Sequence, residues 1–140
     1  MANDLSKSIE ELEDSYWQDC GLDTYVVRTG QAARKKPLSQ LTNEEIRLLI
    51  SQKIGLKYVI PLAVSIVSAE PFIEVTFYEG DLLGELLQLS EADWKDDPEE
   101  FESFMAVVRE NISDIRTREY VKDRFIGSFP ELELNKKQSR

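Results

Sequence analysis

Thr42-Asn43-Glu44-Glu45-Ile46-Arg47-Leu48-Leu49-Ile50-Ser51-Gln52-Lys53-Ile54-Gly55 is the stretch on which the fold turns. Thr42 followed by Glu45 reads as a capping box, in which each side chain reaches a backbone N–H that the first helical turn leaves unpaired. Ile46, Leu49, Ile50 and Ile54 then recur at the spacing of one helix face, and Gly55 suits the chain's exit from a helix. An amphipathic helix with a marked start and stop needs an apolar surface to lie against, and both flanks offer one.

Upstream, Ser8-Ile9-Glu10-Glu11 is a further capping box, with Leu5, Ile9, Leu12 and Tyr16 on one face and Cys20-Gly21 as the expected end. The next helix is expected from about Leu22 to Lys36, capped by Asp23 or Thr24. Arg34-Lys35-Lys36 at its end complements the helix dipole, and Pro37 stops it. Tyr25-Val26-Val27 favours strand, which leaves the start of this helix open.

Downstream, Pro61 reads as a first-turn residue of a helix ending before Pro71. Ile73, Val75 and Phe77 alternate with Glu74, Thr76 and Tyr78, a strand period with no partner strand, so residues 73–78 are expected to be an extended connection. Asp81 is the expected cap of a short helix carrying Leu82, Leu83, Leu86 and Leu87. Asp97-Pro98-Glu99-Glu100 is the clearest helix start in the chain, followed by Phe101, Phe104, Met105, Val108 and Ile112 on one face. A last helix is expected around Ile115 to Ile126, ending at Gly127, with a frayed tail over 131–140. The expected fold is all-α: a single domain over residues 1–140, a compact bundle of about six short helices with one extended segment at 73–78.

The chain's 140 residues suffice for one core, and 31% charged against 41% hydrophobic residues is a globular balance. No basic start followed by an apolar block reads as a secretory signal, and no apolar run approaches the roughly 20 residues of a bilayer span. A single cysteine, Cys20, reads as an inert small hydrophobe and fits a reducing compartment, so a cytoplasmic protein is expected. The net charge of −10 is uneven: residues 1–27 carry −6, 28–69 carry +5, 70–102 carry −11 and 103–140 carry +2. Such a chain repels nucleic acid and anionic membranes and attracts a basic protein.

The chain has no histidine. That removes the usual proton-transfer group, the Ser–His and Cys–His nucleophile pairs and the usual zinc sites. The glycines form no phosphate-binding loop. A calcium loop counted from Asp93 would need Gly at its sixth place and an acid at its twelfth, where Pro98 and Phe104 stand. No catalytic, metal or cofactor residue is therefore assigned.

The acidic stretch Glu91 to Glu102 holds seven acids, one base and Trp94. It reads either as a solvated helix start or as a docking face for a basic partner. Asp93, Asp96, Asp97, Glu99 and Glu102 are the candidate partners for lysine or arginine. Trp94 reads equally as an interface anchor or as core. Asp81 and Glu85 either widen the same face or are ordinary surface.

The string Arg34-Lys35-Lys36-Pro37-Leu38, Leu41 to Ile50, then Gln52 and Ile54-Gly55-Leu56-Lys57-Tyr58-Val59-Ile60-Pro61-Leu62-Ala63 resembles a family of bacterial contact-dependent growth inhibition (CDI) immunity proteins. Phe77-Tyr78-Glu79-Gly80-Asp81-Leu82-Leu83 continues that pattern, with Glu79 where many relatives have proline, and Ser8-Ile9-Glu10-Glu11-Leu12-Glu13 before Trp17 is similar to its opening. The resemblance spans roughly residues 8 to 95. It implies a cytosolic, stoichiometric inhibitor, not an enzyme, that binds the C-terminal toxin domain of a cognate exoprotein. Many such toxins are nucleases and tend to be basic. The matched residues read as caps and core, so no toxin contact is carried over from the family. The expected partner is a basic toxin domain, with no cofactor and with a monomer as the expected state. The other readings are an acidic cytosolic adaptor without a toxin and, more remotely, a carboxylate-dependent enzyme.

Overall fold

The computed structural model describes residues 4–18, 21 and 24–118. Among these residues the regular structure is helical: α1 Ile9–Glu13, α2 Tyr25–Arg34, a 3₁₀ turn Leu38–Gln40, α3 Asn43–Gln52, α4 Leu56–Ala69, α5 Asp81–Leu87, α6 Glu91–Trp94, α7 Pro98–Glu110 and α8 Ile112–Thr117. The fold is all-α, with more and shorter helices than the six expected. No described helix is long and apolar enough to cross a membrane. Cys20, the chain beyond Arg118 and the 131–140 tail lie outside the described residues.

The deciding stretch forms as its chemistry requires. Thr42 accepts the Glu45 N–H and the Glu45 carboxylate accepts the Thr42 N–H, closing the capping box of α3. α3 ends at Lys53 in the left-handed conformation, two residues before Gly55, which instead starts α4 at φ +60°. A Cβ at Gly55 would sit 2.9 Å from Ile9 Cδ1 and Cγ2, so glycine also lets α1 close onto the turn.

α3 packs on α2, α4 and α5, and α4 packs on α5 and α7. Ile46, Leu49 and Ile50 of α3 meet Val59, Ile60, Ala63, Val64 and Val67 of α4, with the α5 leucines and Phe104, Met105 and Val108 of α7 closing one core. Pro61 is not a first-turn residue but lies inside α4. Its missing N–H leaves the Lys57 carbonyl without the usual intrahelical donor, and the burial of Ile60 and Ala63 beside it offsets that loss.

Three local expectations are corrected. α1 is a short helix, stopped at Asp14 in the left-handed conformation, and Tyr16 is exposed beyond it. Asp81 does not cap α5; Gly80 holds the cap position and Asp81 is the first helical residue. Residues 73–78 are a pinned loop with a lone bridge from Glu74 to Glu79. The Asp81 carboxylate, 1% exposed, accepts the N–H groups of Val75 at 2.9 Å, Thr76 at 2.7 Å and Phe77 at 2.8 Å. The alternating strand pattern thus places its N–H groups on a side chain in place of a neighbouring strand.

Buried arginines tie the remaining segments down. Arg34 is fully buried, donates to Glu13 at 2.7 Å and to the Ser15 carbonyl at 3.0 Å, and lies 4.0 Å from the Trp17 ring centroid. Arg47 reaches across from α3 to the Thr76 hydroxyl and to Glu85 at 3.3 Å, beneath the Phe77 ring.

Candidate functional site

Ser90-Glu91-Ala92-Asp93 is a capping box, and it starts α6, a single helical turn. That turn carries Trp94 inward, 3% exposed, stacked on Phe104 with 5.1 Å between ring centroids and edge-on to Phe101 at 5.3 Å. Of the two readings of Trp94, the structure takes the core one. The Asp97 N–H then donates to the Trp94 carbonyl at 2.8 Å, so the buried indole fixes where the chain leaves α6 and enters α7. Asp97 occupies the cap position of α7 with Pro98 next to it, yet its carboxylate makes no capping bond.

This corner faces the first half of α4 across a groove of about 600 Å³, within the usual size of a binding cleft. Leu5, Tyr58, Pro61 and Leu62 give the groove apolar surface, and Asp96, Asp97, Glu99 and Glu100 give it four carboxylates against the one ammonium of Lys57. Among the described residues none of these four acids, nor Glu102, makes an ion pair. Glu99 and Glu100 also complement the dipole of α7, so part of this acidity belongs to the helix start. Asp97 holds the cap position, where the dipole also favours an acid, whereas Asp96 stands ahead of the helix and is not explained that way.

Asp97 is the most perturbed of the four. Burial, then the neighbouring charges of Glu100 and Asp96, push its carboxyl up to about 6, against the opposing pull of Lys57. Its Oδ2 is buried with no hydrogen-bond partner. A carboxylate in that position gains from any cation brought to the groove.

The eight residues singled out from sequence are therefore divided by the structure. Asp96, Asp97 and Glu99 line the groove, and Glu102 is exposed further along α7. Asp93 closes the α6 capping box and pairs with Lys53 at 2.9 Å. Burial alone would raise the Asp93 carboxyl, but the bonds from Lys53 and Ser90 outweigh it and hold it below its ordinary value. Glu85 is engaged by Arg47, and Asp81 by the loop it organises, so neither widens an exposed acidic face. Sequence reasoning missed Glu100 and the α4 wall. Pro61 within an apolar run was the signal available for that wall, because a proline inside a helix marks a local departure from regular packing. Among the described residues no group of acids or cysteines is placed to hold a metal ion.

The arrangement sets an excess of carboxylate over ammonium beside a largely half-buried apolar strip, and its local potential favours positive charge. The comparison with known families accords with a recognition protein. A family model described as CDI immunity proteins matches residues 11–104. The chain belongs to the CDI immunity protein family. Comparison with curated proteins and with solved structures gives no match.

Proposed function

We propose that this protein is a cytoplasmic immunity protein that binds the toxin domain of a cognate CDI exoprotein and neutralises it by direct, stoichiometric contact, without catalysis. The proposed docking face is the acidic corner of α6 and α7, with Asp96, Asp97 and Glu99 at its centre and Glu102 at its edge. The toxin surface it meets is basic, as a nuclease's is. The observation that carries the choice of face is the set of groove carboxylates that have no ion-pair partner among the described residues, while Asp81, Glu85 and Asp93 are engaged inside the fold.

Steering by such a face raises association rate and makes it salt-dependent. The test is co-expression with the toxin domain encoded beside its gene, followed by the dissociation constant at two salt concentrations. Nanomolar binding that protects cells, weakening with salt, supports the reading. Reversing Asp96, Asp97 and Glu99 to lysine together is expected to weaken binding at least tenfold (about 1.4 kcal/mol) and to flatten the salt dependence. Unchanged affinity would leave these acids as a solvated surface. Absence of both binding and protection would favour an acidic adaptor.

A further inference from the structure

We propose that the groove between α4 and the α6–α7 corner receives a short basic amphipathic segment of the partner, not merely its surface charge. An apolar side chain of that segment lies on Leu5, Tyr58, Pro61 and Leu62, and flanking lysine or arginine side chains meet Asp96, Asp97 and Glu100. This rests on the toxin-binding reading and adds to it the shape and chemistry of what enters.

Three independent features point to an inserted segment. First, the groove's volume of about 600 Å³ is more than a flat electrostatic contact needs and is comparable to a cleft that encloses several side chains. Second, its apolar residues come from two separate parts of the chain, Leu5 ahead of α1 and Tyr58, Pro61 and Leu62 on α4, and Leu5 remains 47% exposed. A purely electrostatic site has no use for that strip, whereas the methylene stem of a lysine or a neighbouring aliphatic side chain fits it. Third, the polar groups of the groove favour donors. Among the four groove carboxylates, Asp97 holds a buried oxygen with no partner. Acceptors with apolar surface between them match a chain in which cationic and apolar side chains alternate. Lys57, which lies 5.7 Å from the Tyr58 ring centroid, adds a positive group at one wall and disfavours a uniformly basic insert there.

The experiment separates insertion from surface charge. Leu5→Ser and Leu62→Ser are made singly in the full chain, melting curves confirm that each is folded, and affinity for the toxin domain encoded beside the gene is measured at two salt concentrations. Leu5 is half exposed, so its substitution leaves the core intact even if Leu62→Ser does not fold. Insertion predicts a loss of roughly tenfold for Leu5→Ser with the salt slope unchanged, because the lost contact is apolar. Wild-type binding together with unchanged affinity in folded Leu5→Ser overturns the proposal and leaves the immunity reading standing. If the wild-type chain itself does not bind that domain, the immunity reading falls, and the groove proposal with it.

Discussion

The Asp81 carboxylate accepts the Thr76 backbone N–H at 2.7 Å, and with the bonds from Val75 and Phe77 it shapes the loop that joins α4 to α5. A carboxylate taking three backbone donors in a buried site is held there by charge-assisted hydrogen bonds. The same loop lays Thr76 and Phe77 over Arg47, whose second partner is Glu85 on α5. One acid and one arginine therefore set a segment that has no neighbouring strand among the described residues.

Asp81→Ala is expected to destabilise the fold by about 3 kcal/mol, since three donors lose a charged acceptor and the buried space is left unfilled. Asp81→Asn keeps one acceptor oxygen and is expected to cost about half as much. Urea denaturation of both variants checks the order, and equal stability of Asp81→Ala and wild type would remove the carboxylate from the loop's account.

Arg34→Met tests the buried cation under Trp17. Its removal strands Glu13 and the Ser15 carbonyl, while Glu10 keeps Lys35 at 3.0 Å. Methionine fills much of the space, so the expected loss is about 2 kcal/mol, less than the roughly 3–5 kcal/mol of an unrelieved buried pair. Trp17 fluorescence is expected to move toward that of a solvated indole, because the ring loses the guanidinium it covers.

Gly55→Ala places a Cβ where Ile9 already stands, at a backbone angle that favours glycine. The expected cost is about 2 kcal/mol or more, from strain and crowding together. The double variant Gly55→Ala with Ile9→Val is expected to recover part of it, which distinguishes crowding from backbone strain in the melting temperature.

Asp97 gives the protein a pH dependence of a definite sign. Its folded value of about 6 lies above the ordinary 3.8, so between those values the unfolded chain has released a proton that the folded chain keeps. The contribution of Asp97 to stability therefore falls as pH rises from about 4 to 6 and is level beyond, opposite in sign to that of Glu45 and Asp93, whose carboxyls are held low. Asp97→Asn is expected to remove this slope and to stabilise the protein near pH 7 by about 1 kcal/mol, allowing for solvent screening of a partly exposed group.

The same group predicts the pH dependence of binding. A cation brought to the groove favours the ionised carboxylate, so affinity for the toxin domain is expected to rise from pH 5 to pH 7 with net proton release. Calorimetry in two buffers of different ionisation heat reads that release directly. Asp97→Asn is expected to abolish it, and a flat profile in the wild type would remove Asp97 from the contact.

Much of the fold was legible because its signals are local. Ser8 with Glu11 and Thr42 with Glu45 close capping boxes that any reader of the spacing can find, and Asp97-Pro98 opens α7 where expected. The apolar periodicity of residues 46–54 and 101–108 likewise follows from the pitch of a helix. The sequence by itself determined an all-helical chain with an acidic half and no histidine chemistry, because propensity, capping and charge act over a few residues.

Tertiary structure alone decided which of those acids face outward. Asp81, Glu85 and Asp93 are chemically the same as Asp96, Asp97 and Glu99, but Arg47 and Lys53 engage Glu85 and Asp93 from distant parts of the chain, and the folded loop before α5 turns three amides onto Asp81. It also decided that Trp94 packs inward on Phe104, and that Leu5 joins Tyr58, Pro61 and Leu62 along one groove. No local rule reaches these pairings. Whether a carboxylate is a structural acceptor or an open binding group depends on what the folded chain brings within a few ångströms of it.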